Sequence, residues 1–196
     1  MASLSPRGAA ARRRILEAAA DELAATGDVE VAAVARRAGV SVGLPYRYFG
    51  TRRGLLGSVV AEFYDRLDQA VLFRKFPGST WSERERARVR AWVDHLYADP
   101  LSPAVLGGLG GSAETAGIER ERLGRAIELG ARNIAAGQRD GDLPSGRDPE
   151  LLVTAVLGGV HTAVALALAR TPRPDAELVA EEMWAFVAGA AGITDA

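Results

Sequence analysis

The chain has 196 residues, of which 48% are hydrophobic, and it contains no cysteine and only two histidines. This composition excludes intrinsic disorder, a disulfide-stapled scaffold and a cysteine-based metal site or nucleophile. The formal charge of −1 conceals an asymmetry, because residues 1–53 carry nine arginines against five acids and residues 54–196 carry the opposite excess. A polyanionic partner is therefore expected for the first part of the chain only.

The N-terminal part of the chain predicts four helices. Apolar residues at intervals of three and four predict a helix over 9–25 that ends at Gly27. A short second helix follows over 31–38. Ser41 is expected to cap a third short helix, and Thr51 a long fourth one that joins the N-terminal unit to the rest.

Helical patterns continue to the end of the chain. Thr80 with Glu83, or Ser82 with Glu85, forms a capping box for a fifth helix. Further patterns run over 113–137 and 151–169 and after the cap residue Asp175. No convincing strand pattern occurs, so we expect an all-α protein of about nine helices.

The segment 151–169 is apolar nearly all round and is long enough to cross a bilayer. Thr154, His161, Thr162 and the glycine pair 158–159 argue against a membrane span. We expect instead that one face is buried in the core and the other against a second subunit. Residues 15–26 include three acids and are no signal segment. The protein is therefore expected in the cytoplasm, with no membrane partner.

Residues 31–49 have the spacing of a helix-turn-helix. Two short helical segments are joined by a tight turn, and the small residues Ala35 and Gly39 allow the two helices to cross closely. The second helix then faces outward, where a DNA major groove can receive it. An ordinary helical hairpin is the alternative for this spacing alone.

The run over 31–56, with Ala-Gly-Val-Ser at 38–41, Leu-Pro-Tyr at 44–46 and Tyr-Phe at 48–49, resembles the DNA-binding signature of the TetR family of one-component transcriptional regulators. The resemblance implies an N-terminal three-helix helix-turn-helix DNA-binding domain over residues 1–53. It also implies a C-terminal helical effector-binding and dimerisation domain over residues 54–196.

The resemblance indicates which residues contact DNA. Tyr46, Tyr48 and Arg52 fall at phosphate-contacting positions, and Arg47 is the groove-facing side chain able to hold a guanine through two hydrogen bonds. The alternative role is core packing for the tyrosines and a solvated surface charge for the arginines. The full expected set is Ser41, Val42, Gly43, Leu44, Tyr46, Arg47, Tyr48, Thr51 and Arg52.

Three residues depart from the family pattern: Pro45, Glu30 and Ala32, the last of which stands where some members have a base-reading side chain. Pro45 replaces a packed leucine and lacks the N–H that would bond to the Ser41 carbonyl, so the third helix is expected to start late or to tighten into a 3₁₀ turn. Glu30 replaces the threonine that caps the second helix, which leaves Asp28 as the expected cap.

In family members the C-terminal helices enclose a ligand cavity and the last two helices form the dimer. We therefore expect a homodimer through residues 151–191 and a mainly apolar effector site with a few polar anchors. The alternatives are a water-facing helix flank for His95 and a core or interface position for His161. The expected ligand-contacting residues are Phe63, Trp92, His95, Leu96, Leu106, Ile127 and His161.

The resemblance implies a dimeric, ligand-responsive regulator, a repressor that binds a pseudo-palindromic operator in double-stranded DNA and is released by a small-molecule effector. The alternative is a ligand-binding or protein-interaction homologue whose DNA-binding head has degenerated, and Pro45 is the reason to consider it. An enzyme is not expected, because neither G-x-S-x-G at 39–43 nor G-x-G-x-x-A at 108–113 follows a strand. We expect no catalytic residue, no metal and no cofactor.

Overall fold

A computed structural model describes residues 5–108 and 115–193 of the chain. These residues form eight α-helices and one π-helical turn, and no strand occurs among them. The prediction of an all-α protein with about nine helices is confirmed. Of the run 108–113, all but Gly108 lies outside the described residues. The elements are α1 (Pro6–Thr26), α2 (Val31–Ala38), α3 (Gly43–Phe49), α4 (Arg52–Val71), α5 (Trp81–Ala98), the π turn (Ala104–Gly108), α6 (Ala116–Asp140), α7 (Pro149–Ala169) and α8 (Ala176–Ala191).

The helices α1, α2 and α3 form an N-terminal head. α1 begins earlier than predicted because Pro6 occupies its first position and the Ser5 hydroxyl accepts a 3.2 Å hydrogen bond from the Gly8 amide. The tight turn between α2 and α3 is present: Gly39 has a φ of 65°, and its amide donates to the Ala35 carbonyl and to the Arg36 carbonyl.

Both capping predictions for the short helices are wrong. The N-cap of α2 is Glu30, without a side-chain hydrogen bond, while the Asp28 carboxylate accepts from the adjacent Val29 amide at 2.7 Å. The N-cap of α3 is Val42, and Ser41 contributes its carbonyl, which accepts from the Leu44 amide. At α3 a backbone carbonyl therefore takes the bond that the Ser41 side chain was expected to accept, whereas at α2 no side chain caps the helix.

Pro45 lies buried in the third position of α3. The first four amides of a helix have no partner within it, so the missing N–H of a proline costs nothing there. α3 begins at Gly43, later than a Ser41 cap would place it, and continues as α-helix to Phe49. Pro45 therefore leaves the helix intact.

The long helix α4 connects the head to the rest of the molecule. The Thr51 hydroxyl caps it by accepting from the Gly54 amide, as predicted. A side chain at Gly54 would place its Cβ 2.1 Å from the Phe49 carbonyl oxygen, so only glycine allows α3 and α4 to meet this closely. α4 packs against α1 and α3 near its start and against α5 and α6 further along.

The C-terminal body consists of α5 to α8. Of the two capping boxes that the sequence allows, Thr80 with Glu83 is the one that forms. α5 packs against α4 and α8, and α6 lies along α7. One apolar core runs from Ile15 in the head to Ala191 at the end of α8.

The helix α7 is long and apolar enough to cross a membrane by length and composition, with a mean hydropathy of 2.1, and only 28% of its most apolar stretch is buried. Its exposed residues include Leu151 and Leu166, which are 73% and 56% exposed, and on α8 Leu178 and Phe186 are 58% and 43% exposed. The two last helices thus present an apolar surface that the other described residues do not cover.

Candidate functional site

The outer surface of the head is formed by the start of α3 and the exposed side of its last turn. Val42 is 53% exposed and Tyr46 47% exposed, and Ser41, Gly43, Arg47 and Thr51 are also exposed. Arg47 makes no hydrogen bond or ion pair with any described residue. A guanidinium held outward by a short helix beside a phenol is suited to contact a nucleic acid groove and its phosphates.

Three residues of the predicted DNA-contacting set, Leu44, Tyr48 and Arg52, are only partly exposed. Leu44 and Tyr48 are half-buried and pack against the apolar core. The Tyr48 ring lies edge-on to Phe49, with 6.4 Å between the ring centroids. Arg12 of α1 lies over the other side of this cluster, its Cζ 5.1 Å from the Phe49 ring centroid. Tyr48 therefore packs within the head while remaining near its surface.

Arg52, at the start of α4, is tied to the loop before α2. Its Nε donates to the Val29 carbonyl at 2.9 Å and its guanidinium pairs with the Asp28 carboxylate. The Val29 amide, and after it Arg52, hold the pKa of Asp28 below its ordinary value. The Arg52 guanidinium therefore links the start of α4 to the loop before α2 and helps to stabilise the head.

The body encloses an interhelical cavity of 440 Å³ between α4, α5, α6 and α7. This volume lies within the range of about 300–1,000 Å³ that is usual for small-molecule sites. The apolar part of its wall includes Leu67, Val71, Val89, Leu129, Val153 and Leu157.

One group of charges in the wall joins α4 to α6. The Arg122 guanidinium donates to the Asp68 carboxylate at 2.7 Å and also to Asp65. Asp68 is only 5% exposed, and burial raises its pKa while Arg122 opposes that shift. This pair bridges the middle of α4 to the start of α6.

A second group of charges joins α5 to α4 and α6. The Arg88 guanidinium donates to the Glu85 carboxylate at 3.1 Å and to the Val71 carbonyl at 2.7 Å. The Asn133 amide donates to the same carboxylate at 3.0 Å. Both arginines of the cavity wall therefore already have carboxylate partners.

Tyr64, Glu119 and His161 form a third polar group in the wall. Burial lowers the pKa of His161, and the Glu119 carboxylate acts in the opposite direction. Burial, with the charges of Glu119 and Asp68, raises the pKa of Tyr64 to about 12. At neutral pH the imidazole is therefore uncharged and the phenol keeps its proton.

The predicted ligand-contacting residues do not all lie together. Trp92 and His161 line the interhelical cavity. Phe63 and Leu96 are fully buried in the core, and Leu106 is also a core residue. Ile127 packs against the core from α6. His95 lines a separate hollow between α1 and α5, and its buried Nε2 has no hydrogen-bond partner among the described residues.

Tyr64, Asp68, Glu119 and Arg122 were not predicted from the sequence as site residues, and Glu85 was predicted only as a possible capping residue. A signal was present, because Tyr64 and Asp68 are four residues apart on an otherwise apolar stripe of α4. Polar residues at helical spacing within an apolar helix face indicate that this face borders a cavity. The sequence alone does not indicate which helices meet around that cavity.

Comparisons with known proteins place the head in a family. Residues 15–59 match the model described as bacterial regulatory proteins, tetR family. The HTH-type transcriptional regulator BetI 1 of Chromohalobacter salexigens is 35% identical over 85 residues, which are 42% of this chain and 41% of that protein. The match thus spans about two fifths of the curated relatives' length.

Solved structures resemble the chain over nearly its full length. The fatty acid degradation regulator FadR from Bacillus halodurans has a TM-score of 0.75 at 20% identity, covering 95% of this chain and 96% of that one. FadR from Bacillus subtilis, solved in complex with stearoyl-CoA, has a TM-score of 0.74 at 20% identity, covering 89% and 96%. The helix-turn-helix head, with the first turns of α4, therefore matches the TetR family of bacterial regulatory proteins, and the all-helical fold of the whole chain is similar to that of the two FadR regulators.

Proposed function

We propose that this protein is a dimeric, ligand-responsive transcriptional repressor that binds a pseudo-palindromic operator through α3 and is released by a small molecule in the interhelical cavity. The head over residues 1–53 provides DNA binding, and the body over residues 54–196 provides the effector site and the dimer. The protein acts in the cytoplasm, where its DNA target is.

The observation that carries this proposal is the course of α4. Its first turn supports α3, since Gly54 lies against the end of that helix. Its second half presents Tyr64, Leu67 and Asp68 to the cavity. A ligand that displaces these side chains acts on the same rigid helix that holds the head, so cavity occupancy and head position are coupled.

The exposed apolar surface of α7 and α8 supports a dimer. Leu151, Leu166, Leu178 and Phe186 are all exposed on these two helices, and exposed apolar surface concentrated on neighbouring elements is typical of an interaction site. A twofold dimer through residues 151–191 buries the same surface on both subunits. It also presents two α3 helices to one face of a duplex.

The proposal is tested by letting the purified full-length chain select fragments from the genome of its source organism. We expect enrichment of an inverted repeat whose half-sites are about one duplex turn, roughly 34 Å, apart. Retention of fragments without a shared sequence would contradict the proposal and would favour a homologue with a degenerate DNA-binding head.

A further inference from the structure

Among the described residues of the cavity wall, one carboxylate forms no ion pair with a cation. Asp68 and Glu85 are each paired with an arginine of the wall, Arg122 and Arg88. Glu119, in contrast, accepts a 2.8 Å hydrogen bond from the Thr115 hydroxyl and forms no ion pair with any described residue. Arg125 acts on Asp68 but lies on the exposed side of α6. A partly buried carboxylate without a cation is costly, and a ligand cation removes that cost.

The neighbours of Glu119 are acceptors as well. Its charge acts on the Tyr64 phenol and on the His161 imidazole, and neither side chain makes a hydrogen bond within the described part of the chain. Because burial keeps the imidazole uncharged, one ring nitrogen is available to accept. A primary ammonium group has three donors, and a carboxylate, an imidazole and a phenol oxygen offer acceptors for all three.

The rest of the cavity is apolar and suits a hydrocarbon body. Leu67, Val89, Leu129 and Leu157 contribute to walls around a volume of 440 Å³. An anionic head group, in contrast, is repelled by Glu119. Both arginines of the wall are already paired, Arg122 with Asp68 and Arg88 with Glu85. Like charges in a partly buried site disfavour binding strongly.

We propose that the effector is a cationic amphiphile, a molecule whose protonated amine is bound by Glu119 and whose apolar body fills the space between α4, α5, α6 and α7. This inference rests on the proposed function, because it takes the interhelical cavity to be the effector site.

The test is calorimetric titration of the full-length chain with four ten-carbon probes at concentrations below micelle formation: decylamine, decyltrimethylammonium, decanol and decanoate. We expect decylamine to bind most tightly and decanoate most weakly. Glu119→Gln should weaken decylamine binding by roughly tenfold to a hundredfold, the usual value of a hydrogen bond to a charged group. Decanol binding should stay unchanged, which also shows that the variant is folded.

The matched control is Glu121→Gln, which removes the same charge from the exposed side of the same helix. We expect it to bind decylamine like the unaltered chain. Equal losses in both variants, decanoate binding as tight as decylamine binding, or no binding of any probe would each overturn the inference.

Fragment selection on the same preparation separates this inference from the proposed function. A chain that selects an operator and does not bind decylamine overturns the effector class alone. A chain that binds decylamine through Glu119 and selects no operator supports the site and overturns the regulatory function.

Discussion

Gly130 lets α6 approach α7 beside the cavity. A Cβ at this position would lie 2.3 Å from Cγ2 of the buried Val153. Gly130→Ala should therefore lower the free energy of unfolding by about 1–3 kcal/mol, the usual cost of overpacking. Chemical denaturation followed by circular dichroism measures this change.

The control for that variant is Gly124→Ala on the same helix, where a Cβ would have nothing within 4 Å. Replacing a helical glycine in open space should raise the stability by up to about 1 kcal/mol. If both variants raise the free energy of unfolding, or both lower it, the space beside Val153 does not decide the effect.

His161 should make the stability depend on pH. Its pKa in the folded protein lies below the ordinary value of 6.5 because it is buried, so the unfolded chain binds a proton that the folded chain does not. The stabilisation is full above pH 6.5 and is lost progressively as the pH falls from that value through the lower pKa of the folded state. His161→Gln should therefore make the fall in unfolding free energy between about pH 7 and pH 5 shallower, by at most about 1.4 kcal/mol per pH unit.

The free energy of unfolding will still depend on pH in the His161→Gln variant. Burial also lowers the pKa of His95, and the raised pKa of Asp68 acts with the opposite sign at lower pH. Both contributions remain in the variant, so the difference between the two curves isolates His161. Parallel curves would contradict the prediction.

At the scale of single residues, the exposed side chains of the head could be predicted from the sequence better than the side chains that line the cavity. Arg47 and Tyr46 could be predicted as exposed because a local motif fixes which side of α3 faces outward. Glu119 could not be assigned, since its role depends on its distance from α4 and α7, and no local pattern encodes that distance. Arg52 was predicted to face phosphate, but its fastening to Asp28 depends on a contact between distant parts of the chain.

At the scale of helices, capping decides where α5 begins. The Thr80 hydroxyl accepts from the Glu83 amide at 3.2 Å, and the Glu83 carboxylate accepts from the Thr80 amide in return. Thr80→Ala should lower the free energy of unfolding by about 1 kcal/mol. Thermal unfolding of the single variant checks this value.

Ser82→Ala provides the comparison, because the sequence allowed Ser82 as the alternative cap. Ser82 lies within α5 and its side chain makes no hydrogen bond to any residue that the structure describes, so its removal should change stability by less than about 0.5 kcal/mol. A larger loss in the serine variant than in the threonine variant would show that the capping box is assigned to the wrong pair.

The helices themselves could be predicted because their periodicity and end signals are local. Gly27, Gly39 and Thr51 end or begin helices where the sequence indicated. The N-caps of α2 and α3 could not be predicted. No side chain makes the capping hydrogen bond there, and backbone groups are offered by every residue type. Ser5 is a different case, because its side chain does cap α1, but it lies ahead of the apolar pattern from which the helix was predicted to begin at residue 9.

At the scale of the whole molecule, the exposed faces of α7 and α8 should form the dimer. Leu166→Arg places a charge on a surface residue of α7 and should convert the dimer into a monomer. Light scattering after size-exclusion chromatography measures the molar mass of the particle in solution directly. Phe73→Arg, at a similarly exposed residue outside these helices, should remain dimeric. Dissociation of both variants, or of neither, would place the interface elsewhere.

The central claim is that α3 reads DNA, and fluorescence anisotropy on the selected fragment tests it most directly. Binding should weaken steeply between about 50 and 200 mM salt, because phosphate contacts release counterions. Arg47→Ala should lower specific affinity by about 1–3 kcal/mol, while Arg139→Ala, an exposed arginine at the end of α6, should not. Binding that does not depend on salt, or equal affinity of the Arg47 variant and the unaltered chain, would contradict the account.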